Sequence, residues 1–78
     1  MTKGKYFKIR SKLGSLVMDV RGPVKKDGTD VIMSEEKTEK CDSQVWFYHP
    51  RTKSIRSKLN SELCLDTNGK FFYFLHVC

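Results

Sequence analysis

Seventy-eight residues fill one small domain, and the 38% that are apolar make a thin core. Fifteen Lys and Arg against nine Asp and Glu leave a net charge of +6, with an isoelectric point near 9.4. There is no alanine, while β-branched residues and a 12% aromatic share are plentiful, which argues against a helical bundle and for strands.

Taken in chain order, the amino end Met1-Thr2-Lys3-Gly4-Lys5 is polar where an export signal has its hydrophobic region, which favours a cytoplasmic setting. Phe7 and Ile9 alternate with polar neighbours, the period of a half-buried strand. A turn follows at Lys12-Leu13-Gly14-Ser15, with Gly14 suited to a positive φ. Leu16–Val20 reads as the next strand, and Asp19 and Gly22 bracket a turn. Gly22-Pro23 and Asp27-Gly28 are further breaks, after which Val31-Ile32-Met33 forms a strand. Glu35–Cys41 is charged and lacks apolar periodicity, so it reads as an exposed loop. Val45–Tyr48 is a strand, and Pro50 ends it before a basic turn. Ile55 marks another strand, Asn60 a turn suited to positive φ, Leu63–Leu65 a strand, Asp66 to Gly69 a turn and Phe71–Leu75 the last strand. Short strands at this spacing predict an all-β barrel or sandwich. The longest uncharged run, Phe71–Cys78, is too short to span a bilayer.

An internal repeat organises these pieces. Ile9-Arg10-Ser11-Lys12-Leu13 returns letter for letter as Ile55-Arg56-Ser57-Lys58-Leu59. After one inserted residue, Glu62, Leu16-Val17-Met18-Asp19-Val20-Arg21-Gly22 aligns with Leu63-Cys64-Leu65-Asp66-Thr67-Asn68-Gly69. Two related units follow, the first about 6–51 and a shorter second about 52–78.

Leu63-Cys64-Leu65-Asp66, together with Gln44-Val45-Trp46 ahead of Ser54-Ile55, resembles the ricin-type (R-type) β-trefoil lectin family. The resemblance implies a β-trefoil in which three such units close a barrel. Here the second unit ends before its own Gln-x-Trp, so the expected fold is a partial β-trefoil, incomplete as one chain. Strand edges left open in this way recruit partners, so the chain is expected either to form a homo-oligomer or to be part of a longer lectin. Trp46, Ile9 and Ile55 are expected to build the fold, the Trp by burying its ring, while the Gln44 amide satisfies nearby backbone groups.

The resemblance also implies a disulfide between Cys64 and Cys78, with Cys41 as the odd thiol; the first unit has Val17 and Glu36 at those places. Two reduced cysteines are the alternative, as in a cytosolic chain, so cysteine usage and the absent export signal point to opposite compartments. A zinc site does not fit the spacing of Cys41, Cys64, Cys78, His49 and His76, and no cofactor motif is present.

The family's sugar sites combine a carboxylate, which accepts hydroxyl hydrogen bonds in fixed geometry, with an aromatic platform that covers the apolar sugar face. Carried onto this chain, the carboxylates are Asp19 and Asp66, with Gln44 beside the first site and His76 at the platform position of the second. The first unit has Ser34 at the platform and Ser43 where the family has Asn. Each Asp also suits a turn in which it bonds its own backbone, and His76 also reads as a plain surface strand residue. A galactose-type glycan, bound weakly, is the ligand the resemblance implies. An assembly module with decayed sugar sites is the alternative. So is a basic face, with Arg10/Lys12 and Arg56/Lys58 two apart on strands, that binds anionic glycan or, less favoured, nucleic acid. No nucleophile triad, carboxylate pair, phosphate loop or metal cluster points to an enzyme.

Overall fold

The computed structural model describes residues 5–12, 14–21, 29–68 and 72–77. Seven antiparallel strands carry the chain: β1 (Tyr6–Phe7), β2 (Leu16–Val20), β3 (Thr29–Glu35), β4 (Trp46–His49), β5 (Ser54–Ser57), β6 (Leu63–Asn68) and β7 (Phe72–Val77). The protein is therefore all-β. Among the described residues no helix is long and apolar enough to cross a membrane. β2 has the bounds that its apolar run predicts, while β3 extends past Val31-Ile32-Met33 in both directions. The predicted turns at Gly22-Pro23 and Asp27-Gly28 lie outside the described residues, as does Phe71.

Three local expectations need correction. Asp66 does not open a turn: Asp66, Thr67 and Asn68 continue β6 and pair with Phe74, Tyr73 and Phe72. Asp19 likewise sits within a ladder, opposite Ile32. The left-handed backbone positions also differ from those expected, since they fall at Lys40 (φ 49°) and Lys53 (φ 55°) and not at Gly14 or Asn60. Asn60 makes its turn with its side chain, Oδ1 accepting from the Glu62 amide at 3.0 Å. Finally, Glu35, read as the start of the loop, is the last residue of β3, and beyond the loop Asp42–Gln44 forms a single 3-10 turn.

The strands run in the order β1-β4-β5-β6-β7-β3-β2. The ends of that order meet. Just beyond β1, the Ser11 amide donates to Leu16 O at 2.8 Å and the Met18 amide to Ile9 O at 2.9 Å, with Arg10 bridged to Val17. The expectation of open edges is thereby corrected. β7 turns back onto β3, pairing Leu75 with Thr29 and Phe74 with Asp30, so the second unit's hairpin docks on the first unit's hairpin. Among the described residues the two ends of the strand order are thus joined within one chain through Ile9–Ser11 and β2.

The core is Met18, Val20, Trp46, Leu63 and Leu75, with Ile9, Val31, Ile55 and Leu65 packed against it. Trp46 and Leu75 are fully buried, and the indole N–H of Trp46 donates to Met18 O at 3.3 Å. β2 is covered on both faces. Successive side chains of a strand alternate, so Met18 and Val20 enter the core while Val17 and Asp19 face the other way. There the Asp42–Gln44 turn packs on β2 and buries that second face as well.

Candidate functional site

Both units place their aspartate at the same point of a β-hairpin. Across β2 and β3 the partners are Val17 with Ser34, Met18 with Met33, Asp19 with Ile32 and Val20 with Val31. Across β6 and β7 they are Cys64 with His76, Leu65 with Leu75, Asp66 with Phe74 and Thr67 with Tyr73. The preceding strands agree too, Arg10 lying opposite Val17 and Arg56 opposite Cys64. The duplication in the sequence is thus a duplication of register, and Ser34 and His76 occupy one equivalent position.

What surrounds the two aspartates differs. Asp19 is 7% exposed. The Ser34 hydroxyl donates to its Oδ2 at 2.6 Å, and Gln44 Nε2 donates to the same oxygen at 3.2 Å. Gln44 is itself fully buried, its Nε2 also reaching Glu35 O at 2.8 Å while its Oε1 accepts from the Lys37 amide at 2.8 Å. The Gln44 amide therefore ties β2, β3 and the 36–44 segment together. Burial pushes the Asp19 pKa up, but the Ser34 and Ser43 hydroxyls, the Gln44 amide and the Lys37 charge outweigh it, and the carboxyl titrates below its ordinary value. Oδ1 is buried and has no hydrogen-bond partner among the described residues.

Asp66 is exposed, in the middle of β6, with Phe74 opposite and His76 two positions further along β7. The His76 side chain lies outside the described residues. Sequence reasoning named both aspartates and Gln44 but not Ser34 as a donor to Asp19. That bond follows from the β2–β3 register, which no local pattern reveals.

The basic residues are sorted by their partners. Lys8 Nζ and Arg10 Nη2 both meet the Glu36 carboxylate, at 3.0 and 2.8 Å. Hydrogen bonds from Lys8 and then Arg10 hold the Glu36 carboxyl below the usual range. Lys58 Nζ lies 3.5 Å from Asp42 and 4.9 Å from the centre of the Tyr6 ring. Arg56 instead meets only neutral acceptors among the described residues.

Cys64 is disulfide-bonded and Cys41 is a free thiol. Cys78, the partner that the sequence suggests, lies outside the described residues. With three cysteines in the chain, thiol titration of denatured, unreduced protein should count one thiol per chain. A count of three would exclude any bridge.

No protein-family model, curated protein or solved structure matches this chain.

Proposed function

We propose that this chain is a lectin-like carbohydrate-binding module of the β-trefoil type, taking a galactose-type glycan weakly at Asp66. The reading is carried by one observation. Two carboxylates share a hairpin position, yet Asp19 is sealed under Ser34 and Gln44 while Asp66 is exposed on β6. A sugar hydroxyl needs an acceptor it can reach, and an exposed carboxylate accepts two hydroxyls in fixed geometry. Asp19 then serves the frame, holding the turn that covers β2. In the register Phe74 pairs with Asp66 and His76 with Cys64, two positions before it, the sequence positions from which an aromatic platform for the sugar would come.

The test is a lactose titration followed by amide chemical shifts, repeated on Asp66→Ala. Binding should disappear in the variant while its melting temperature stays within about 2 °C of the parent, because exposed positions contribute little to stability. Undiminished lactose binding by Asp66→Ala would remove the assignment.

A second reading, an assembly module whose sugar sites have decayed, is favoured by the closed first site, where Ser34 stands at the platform position and spends its hydroxyl on Asp19. A glycan array with no hits and a molar mass that rises with concentration would select it.

A further inference from the structure

One strand position carries an arginine in both units, and its two copies meet different partners. Arg10 lies 2.8 Å from the Glu36 carboxylate, with Lys8 on the other oxygen. Arg56 has no carboxylate partner among the described residues. Its Nε donates to Ser54 Oγ at 3.1 Å, its Nη2 to Thr52 Oγ1 at 3.1 Å and its Nη1 to Ser61 O at 3.2 Å. The alignment of the repeats accounts for the difference. Ser54 stands where the first unit has Lys8, and the alignment counterpart of the acid Glu36 is Cys78, outside the described residues.

Three of the five guanidinium N–H groups are spent on these contacts, leaving one on each terminal nitrogen. The hydroxyls that hold the guanidinium are held in turn. Thr52 Oγ1 lies 2.8 Å from Ser54 Oγ and 3.2 Å from His49 Nδ1, and the Thr52 amide donates to the same ring nitrogen at 3.4 Å. Arg51 and Lys53, both exposed, flank the group in the β4–β5 turn. An arginine fixed by neutral partners keeps its charge unspent and has already lost its rotamer freedom, which lowers the cost of binding an anion.

We infer that Arg56, braced by Thr52 and Ser54 on the β4–β5 hairpin, binds the sulfate ester of an anionic glycan. One braced guanidinium matches the single negative charge of a sulfate monoester. Single-stranded nucleic acid would stack its bases on aromatic faces. The Tyr6 ring already carries Lys58 on its face and Phe47 at its edge, with ring centroids 5.8 Å apart, and Asp42 adds a negative charge beside Lys58. Tyr48, opposite Ile55, is exposed, so an oligonucleotide is one arm of the test. The glycan half of the assignment rests on the carbohydrate reading; the oxyanion half does not.

The experiment titrates a heparin-derived tetrasaccharide into isotope-labelled protein. Amide shifts should concentrate between His49 and Arg56. Arg56→Ala should weaken binding by about tenfold or more, the loss expected of a charge-assisted contact. Arg10→Ala removes the same formal charge, but from a guanidinium already held on the Glu36 carboxylate, and should change affinity by less than about twofold. Equal losses in the two variants would mean that net charge alone is read, and would overturn the site. If Arg56→Ala fails to fold, the shift map of the parent decides, and shifts centred elsewhere overturn it. Lactose, which carries no charge, should leave the amides between His49 and Arg56 unmoved, which separates this site from the neutral-sugar site; lactose shifts at those amides would overturn it. Inorganic sulfate that moves the same amides while the tetrasaccharide moves none would overturn the glycan assignment. A single-stranded oligonucleotide that binds these amides more tightly than the tetrasaccharide would overturn it in favour of nucleic acid.

Discussion

Trp46→Ala should cost about 3–5 kcal/mol and lower the urea midpoint steeply. Trp46 is fully buried at the centre of a core made with Met18, Val20, Leu63 and Leu75, so truncation opens a cavity that few neighbours can fill. It also removes the indole N–H that donates to Met18 O across the ring. A chain of this length has roughly 4–12 kcal/mol of total stability at ordinary per-residue values, so the loss takes much of the margin. Urea unfolding followed by far-UV circular dichroism measures it, since the variant has no tryptophan to report. Trp46→Phe keeps a ring and should lose less. A parent-like urea midpoint in Trp46→Ala would show that Trp46 does not hold the core together.

Asp19→Ala should destabilise the fold by about 1–3 kcal/mol at neutral pH, because Ser34 and Gln44 lose their buried acceptor. The same carboxyl should make the parent sensitive to acid. Its folded pKa lies below its unfolded value, so the ionised form stabilises the protein above the unfolded pKa, near 4. That stabilisation is lost as pH falls from there through the folded pKa. Glu36, also shifted down by Lys8 and Arg10, acts with the same sign from an exposed position, where salt screens it. Asp19→Asn keeps the shape and an acceptor but abolishes the titration. Urea midpoints between pH 5 and 2 in high salt should therefore fall less steeply for Asp19→Asn than for the parent. Parallel curves would show that Asp19 is not the buried ionised group.

The two aspartates show how much of the site could be read from residues alone. The repeat of Leu-x-x-Asp placed both at one structural position, and the ladder partners of β2–β3 and β6–β7 agree residue for residue. Their accessibility could not be read in the same way. Asp19 is buried because the Asp42–Gln44 turn folds over β2, and the three polar residues of that turn have no apolar period to announce it. The Gln44 amide bonds to Glu35 and Lys37 depend on the same return of the chain. The basic residues divide likewise. Arg10 and Arg56 are indistinguishable in their five-residue motif, and among the described residues a long-range acid, Glu36, pairs only with the first.

Alternation of apolar and polar residues, β-branched content and turn chemistry are properties of neighbouring residues. They were enough to establish an all-β chain, most of its strands and its twofold internal repeat. Which strands pair across the molecule was settled only by folding. β7 docks on β3 and Ile9–Ser11 on β2, so the seven strands of the described residues join end to end where the resemblance implied a third unit. The reason is physical: period-two patterning marks the face a strand buries against the core, but it carries no information about what covers the other face or which edge is met. Those depend on contacts between residues far apart in the chain, and they decide which carboxylate is sealed, which is exposed and which arginine meets a carboxylate.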